Sequence, residues 1–163
     1  MPAPKLFEPL TVGNLTNVLI NISILGVIVV GMTFVFITRG LADLSVPATV
    51  AIGAILTLSL QPAIGTPAAA LVGVLAGVVA GLVNGILIGY AGINPVITTL
   101  AVGTIVLGGA QWSVGGVIVY GTDTAAQSFL NSRVFGVPII VIVFLLVAII
   151  GHLILSRTTL GRW

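Results

Sequence analysis

The chain has 163 residues, of which 58% are hydrophobic and only 5% are charged, whereas roughly a quarter of the residues are charged in an average soluble protein. The absence of cysteine excludes disulfides, cysteine-based zinc sites and thiol catalysis. The net charge of +2 comes from too few groups to form a nucleic-acid surface, so the composition predicts an all-α integral membrane protein.

The first apolar run covers residues 17–38 and contains no charged residue. At about 1.5 Å per residue, a helix of this length crosses a hydrocarbon core roughly 30 Å thick. Residues 39–45 follow, with a charge of each sign. Asp43 or Ser45 can cap the next helix there, and both are also candidates for contact with a solute.

The second apolar run is shorter, covering residues 46–60 before Gln61 and Pro62. A helix of this length reaches only about 22 Å. Short membrane helices need protein or water around their free backbone groups. We therefore expect one or two short or broken helices in the bundle, this one being tilted inward or partly re-entrant.

The third apolar run, residues 66–90, has the most regular pattern in the sequence. Residues four apart follow one ridge of a helix, and glycines on such a ridge let a neighbouring backbone approach closely in lipid. The glycines with this spacing, which we expect to pack against other helices, are Gly73, Gly77, Gly81, Gly85 and Gly89. Asn84 lies beside them and is predicted either to contact solute or to bond a neighbouring helix.

The fourth run, residues 95–112, begins after Asn94, and Asn followed by Pro is typical of a helix start. Asn94, Thr98 and Thr99 are therefore predicted to lie at a helix terminus with partial positive charge. Transporters place substrate at such termini near the middle of the membrane. The alternative role of these side chains is structural, in caps and helix-to-helix hydrogen bonds.

A polar stretch, residues 113–136, precedes the fifth apolar run at residues 137–155. We expect an external loop there, with or without a short surface helix. Gln111, just before this loop, is a candidate solute contact at the outer mouth of a pathway. Arg157 and Arg162 follow the fifth run, and because basic residues favour the cytoplasmic side, the C-terminus is predicted to be cytoplasmic.

These five runs predict a single membrane domain over residues 1–163, with about five transmembrane helices. One histidine and three widely separated carboxylates offer no catalytic set and no metal site. No glycine-rich loop contains the Lys followed by Ser or Thr that binds nucleotide phosphates. The chain is predicted not to be an enzyme and to hold no cofactor.

Four stretches together resemble the permeases of bacterial ATP-binding-cassette sugar importers of the ribose and xylose type, within the branched-chain amino-acid permease superfamily. They are GMTFVFITRGLADLSV at 31–46, GLVNGILIGYAGINPVITTL at 81–100, GGAQWSVGG at 108–116 and RTTLGR at 157–162. Order and spacing agree with the family pattern over most of the chain. Branched-chain amino-acid permeases differ at the DLSV turn, so the resemblance favours carbohydrate.

The resemblance implies a permease subunit that moves a monosaccharide or similar carbohydrate across the bacterial inner membrane. It also implies a separate ATPase subunit that binds ATP, an extracytoplasmic sugar-binding protein, and a second permease copy or paralogue. The residues predicted to line the pathway are Asp43, Ser45, Asn84, Asn94, Thr98, Thr99 and Gln111.

Three departures from the family pattern affect this interpretation. Pro47 stands where the family has glycine, one further helix usually precedes the segment matching residues 17–38, and members continue for about four helices beyond Arg162. The chain is therefore predicted to be the N-terminal half of a permease. The alternatives are a truncated membrane scaffold that does not transport and a branched-chain amino-acid permease.

Overall fold

The computed structural model describes residues 11–37 and 43–158, and these are mainly helical. The elements in chain order are α1 (Val12–Ile37), α2 (Val46–Ile64), α3 (Thr66–Gly89), α4 (Pro95–Ser113), α5 (Thr124–Leu130), β1 (Arg133–Val134), β2 (Val137–Pro138) and α6 (Ile139–Arg157). Within the described residues, five helices (all but α5) are long and apolar enough to cross a membrane. The predicted all-α membrane class is confirmed.

Two helices extend by several residues beyond the predicted spans, and the other boundaries agree within two residues. α1 begins at Val12 rather than at residue 17, and α2 runs through Pro62 to Ile64 rather than ending at residue 60. A proline in the last turn removes only one backbone donor, so the helix can continue past it. The helix ends instead at Gly65, whose φ of 78° few other residues adopt and whose N–H donates to the Gln61 carbonyl at 3.0 Å.

The polar stretch between α4 and α6 contains the short helix that the sequence allowed for, and also a hairpin that was not predicted. It contains α5 and a two-residue antiparallel hairpin in which Val134 pairs with Val137. Phe135 (φ 51°) and Gly136 (φ 82°) form the turn of this hairpin. Positive φ at both central residues gives the backbone twist that matches paired strands, which is why glycine occupies the second position.

The helices form two compact groups, one containing residues 11–37 and 128–158 and the other residues 43–127. In the first group, α1 packs against α6 through glycines. A Cβ atom added at Gly26 would overlap the ring of Phe144. Whether the two groups make up the single domain expected from the sequence stays a prediction.

In the second group, α2, α3 and α4 pack around small side chains. The buried apolar residues are Ala48, Ala69, Ala80, Val102 and Ala110, whereas most of the large apolar side chains are exposed. Small residues allow close helix approach without the hydrophobic driving force that water supplies. The exposed apolar surface is suited to contact with lipid or with further helices.

The glycine ridge of α3 contacts α2 only at its beginning. A Cβ atom added at Gly73 would lie 2.6 Å from the Gly53 carbonyl oxygen, and one at Gly77 would lie 3.2 Å from Thr49 Cγ2. At Gly81, Gly85 and Gly89 an added Cβ would meet no atom within 4 Å among the described residues. Four residues turn a helix by about 400°, so the ridge winds about 40° per step and leaves α2. A packing role for the last three glycines stays a prediction.

Candidate functional site

Four polar side chains meet where α2 begins, α3 nears its end and α4 begins. We call them the Ser45 cluster: Asp43, Ser45, Asn84 and Thr99. Ser45, Asn84 and Thr99 are at most 5% exposed. Although 39 and 55 residues separate these partners along the chain, two antiparallel helix connections bring them to one end of the group.

Asn84, Ser45 and Asp43 form a continuous chain of hydrogen bonds, each residue donating to the next. Asn84 Nδ2 donates to Ser45 Oγ at 2.8 Å, and Ser45 Oγ donates to Asp43 Oδ1 at 2.6 Å. The backbone N–H of Ser45 donates to the same carboxylate oxygen at 2.8 Å. On the α4 side, Thr99 Oγ1 accepts from the backbone N–H of Leu44 at 3.1 Å. Side chains from two other helices, Asn84 of α3 and Thr99 of α4, therefore hold the segment at the start of α2.

Of the two caps of α2 that the sequence allowed, Asp43 or Ser45, the Ser45 side chain is not one. Ser45 occupies the N-cap position, but its side chain makes no cap hydrogen bond because its hydroxyl is engaged by Asn84 and Asp43. Gly103 of α4 makes room for this arrangement, since a Cβ atom there would lie 3.1 Å from Ser45 Cα. The sequence also allows a local ion pair between Asp43 and Arg39, but Arg39 lies outside the described ranges.

One atom of the Ser45 cluster has no hydrogen-bond partner. Asn84 Oδ1 is buried and unpartnered, the only such side-chain atom within residues 11–37 and 43–158. Its orientation follows from its neighbours. The Ser45 hydroxyl already donates its hydrogen bond to the Asp43 carboxylate. The amide atom facing Ser45 must therefore be the donor Nδ2. The carbonyl then points away from both.

Asn94 and Thr98 lie beside the cluster but act locally. Asn94 Oδ1 accepts from the backbone N–H groups of Val96 at 2.9 Å and Ile97 at 3.4 Å, which confirms the predicted cap of α4. Thr98 is 3% exposed, and its hydroxyl donates to the Asn94 carbonyl at 3.0 Å. These bonds fix the first turn of α4, on which Thr99 stands.

Gln111 lies at the far end of a groove between α2 and α4. This groove has a cavity of about 350 Å³, and its lining residues are Leu44, Pro47, Ala48, Leu100, Gly103, Thr104, Leu107, Gly108 and Gln111. None of these residues is charged. Leu44, whose N–H binds Thr99, closes the end nearest the Ser45 cluster. Gln111 lies about 18 Å from Thr99 along the α4 axis. Of the seven pathway residues predicted from the sequence, only Gln111 lines this groove, and a pathway role for all seven stays a prediction.

A second polar cluster, not predicted from the sequence, lies at the opposite end of α2. We call it the Gln61 cluster: Gln61, Thr66, Thr122 and Asp123. Gln61 Oε1 accepts from the backbone N–H groups of Thr122 at 2.9 Å and Asp123 at 3.3 Å. Gln61 Nε2 donates to Thr66 Oγ1 at 2.9 Å, and Thr66 donates to Asp123 Oδ2. This cluster fastens the segment after α4 to the turn between α2 and α3.

Asp123 completes the Gln61 cluster with its second carboxylate oxygen. Oδ1 accepts from the backbone N–H groups of Ala125 at 2.9 Å and Ala126 at 3.1 Å, and so caps α5. The Thr66 hydroxyl, followed by the Ala126 N–H, lowers the pKa of Asp123 below its usual value because both donate to the ionised form. In the sequence, this cluster is indicated only by Gln61 and Asp123, each of which stands among apolar or neutral residues.

The sequence of the chain matches a known protein family. Residues 14–163 match the family described as branched-chain amino acid transport system / permease component. The chain belongs to this permease family. Family membership predicted from the four motifs is therefore confirmed.

Three curated relatives illustrate the similarity. The chain is 34% identical to the D-allose transport system permease protein AlsC of Escherichia coli K12 over 98% of its own length and 49% of the relative's. It is 29% identical to the autoinducer 2 import system permease protein LsrD of Salmonella typhimurium LT2, over 99% and 54%, respectively. The LsrD protein of Yersinia pestis Pestoides F is 30% identical over 85% and 43%. No solved structure matches.

The chain thus spans about half the length of the curated relatives it matches. Family membership and five apolar helices make it a multi-pass membrane permease component.

Proposed function

We propose that this chain forms part of the wall of a solute pathway in an ATP-driven importer of neutral carbohydrates. The observation that carries the proposal is the groove between α2 and α4. Its lining is uncharged, with the Thr104 hydroxyl and the Gln111 amide among apolar side chains. A sugar offers hydroxyl groups and apolar ring faces that match such a surface.

The same lining disfavours a branched-chain amino acid. An amino acid carries a carboxylate and an ammonium group at neutral pH, and a charge leaving water needs a compensating partner. No side chain of the groove supplies one. The relatives also support a neutral solute, since one of them is named for D-allose.

The proposed topology places the C-terminal end of α6, with Arg157, on the cytoplasmic side of a bacterial inner membrane. With all five long helices crossing the membrane, α2 then begins near the cytoplasmic side and ends near the external side. The Ser45 cluster is the inner end of the proposed pathway, and the Gln61 cluster is at the outer surface.

The proposed partners follow from the family's role as one component of a transport system. ATP is bound and hydrolysed by a separate cytoplasmic subunit, an extracytoplasmic protein delivers the sugar, and a second permease copy or paralogue completes the pathway. In this assembly, Gly81, Gly85 and Gly89 are available to pack against helices outside the described residues.

The test is transport by the assembled importer, reconstituted in liposomes with its ATPase and binding protein. We expect uptake of D-allose, D-ribose or D-xylose that depends on ATP and is not inhibited by L-leucine. Gly108→Leu, which places a side chain in the groove, should reduce uptake at least about tenfold, whereas Gly109→Leu, one residue further around α4, should not.

Two results would contradict the proposal. Uptake of L-leucine without sugar uptake would favour an amino-acid permease. Failure to associate with any ATPase subunit, together with no uptake, would leave a membrane scaffold as the explanation.

A further inference from the structure

The unpartnered carbonyl of Asn84 is the feature of the Ser45 cluster that packing alone does not explain. A buried polar atom without a hydrogen bond costs about 1–3 kcal/mol, and such atoms are rare in folded proteins. Every other polar side-chain atom of this cluster that is buried to the same degree has a partner. Asn84 Oδ1 is therefore a buried hydrogen-bond acceptor that lacks a donor.

From this geometry we infer that Asn84 determines specificity for a hydroxylated solute, its Oδ1 atom accepting a hydrogen bond from one hydroxyl group of the transported molecule. The inference rests on the proposed function and names the contact by which the pathway recognises its cargo. The donor enters when the start of α2 moves away from α3 and α4.

Among the described residues, two hydrogen bonds from other helices hold the segment at the start of α2, and both can be exchanged. Asn84 Nδ2 binds Ser45 Oγ, and Thr99 Oγ1 binds the Leu44 N–H. Ser45 Oγ and the Leu44 N–H can each exchange this hydrogen bond for one to water or to a solute hydroxyl, at little net cost in free energy. Leu44, Pro47 and Ala48 of the same turn line the groove, so this movement opens the groove towards Asn84.

The chemistry around Asn84 selects a neutral donor. Its neighbours in the cluster are hydroxyl groups and the Asp43 carboxylate, whose Oδ1 atom already accepts two bonds from Ser45. Among the described residues no three His, Asp or Glu side chains gather as ligands for a metal ion. A hydroxyl group satisfies the amide oxygen without bringing a charge into the membrane.

This role predicts discrimination between a sugar and its deoxy analogues. A site that hydrogen-bonds a hydroxyl rejects the analogue lacking it, because its own polar group is then left unpaired. The wild-type importer should prefer the parent sugar over one monodeoxy analogue by about tenfold to a hundredfold in kcat/KM. Asn84→Leu and Asn84→Ala should transport both members of this pair equally well.

Ser45→Ala is the matched control. It removes the partner of Asn84 Nδ2 but leaves Oδ1 in place, so the preference for the parent sugar should persist even if the rate of transport changes. The experiment measures uptake of D-allose, D-ribose and D-xylose and their monodeoxy analogues by the reconstituted importer, with immunoblots to equalise permease amounts.

Retention of the full preference in both Asn84 variants would overturn the inference and leave Asn84 as a bridge to Ser45. Equal loss of preference in Ser45→Ala would do the same. Failure of both Asn84 variants to accumulate in the membrane would also overturn it, because one hydrogen bond should not be essential for folding. If the wild type imports none of the three sugars, the proposed function fails first, and the inference fails with it.

Discussion

The two ends of α2 are both held by polar clusters, but the clusters differ in completeness. The Gln61 cluster is part-buried, and its Gln61 amide, Thr66 hydroxyl and Asp123 carboxylate all bond one another or a backbone N–H. The Ser45 cluster is more deeply buried yet leaves Asn84 Oδ1 unpartnered. A cluster whose polar groups are all hydrogen-bonded is typical of a structural role. A buried polar atom without a partner instead indicates a site that binds a further group.

The largest expected effect comes from disrupting the close contact between α2 and α3, which we call the α2–α3 seam. Gly73 lies against Gly53 and Thr57 between the two clusters, with an added Cβ only 2.6 Å from each contacting oxygen. Gly73→Leu should lower the free energy of unfolding of the chain in detergent by about 3 kcal/mol or more.

Gly81→Leu is its control, because an added Cβ at Gly81 meets no described atom. It should change the free energy of unfolding by less than about 0.5 kcal/mol while impairing assembly with other permease helices. Equal destabilisation by the two variants would show that the α2–α3 seam is wrongly described.

A smaller effect is expected from removing the centre of the Gln61 cluster. Gln61→Leu leaves the N–H groups of Thr122 and Asp123 without their acceptor and should cost about 1–3 kcal/mol of unfolding free energy. Proteolysis of the segment after α4 should accelerate in parallel. Gln111→Leu, which removes an exposed amide, should leave both measurements near wild type, and a similar loss in both variants would contradict a fastening role.

The Ser45 cluster should respond asymmetrically to truncation. Ser45→Ala leaves Asn84 Nδ2 buried without an acceptor and should cost about 1–2 kcal/mol. Asn84→Leu should cost less, because it removes an amide whose carbonyl has no partner and leaves the Ser45–Asp43 bond intact. Thermal unfolding of the two variants side by side tests this order, and the reverse order would mean that Oδ1 is satisfied.

The smallest effect concerns pH. Because hydrogen bonds from Thr66 and Ala126 lower the pKa of Asp123 in the folded state, its contribution to stability is present above the ordinary aspartate pKa and is lost as pH falls through the lowered value. Proteolysis of the segment after α4 should therefore accelerate only in strong acid. Asp123→Asn should remove this dependence, and acceleration near neutral pH would contradict the assignment.

Local patterns in the sequence predicted part of this structure correctly. Apolar runs gave five helices, and Asn94 followed by Pro95 gave the start of α4. Charge placement could not reveal that α2 passes through Pro62, because a proline near a helix end is compatible with both outcomes. Strict spacing of glycines did not show that their ridge winds away from α2.

The polar clusters were harder to predict because they depend on tertiary pairing. Asp43, Ser45, Asn84 and Thr99 were each singled out as candidates, but nothing local shows that they meet. The Gln61 cluster was missed altogether, since its partners lie up to 62 residues apart and carry no motif. Only the packing of α2, α3 and α4 brings either set together.

The most direct test of a solute pathway between α2 and α4 is cysteine accessibility, because the chain has no cysteine of its own. Gly108→Cys lies in the groove, Gly109→Cys lies about 100° further around α4, and both positions have room for the side chain. We predict that, in the reconstituted importer, a membrane-impermeant thiol reagent modifies Gly108→Cys and that the transported sugar slows this reaction, with Gly109→Cys unaffected by sugar. Equal reactivity of both positions with no protection by sugar would contradict the assignment of this groove as the pathway.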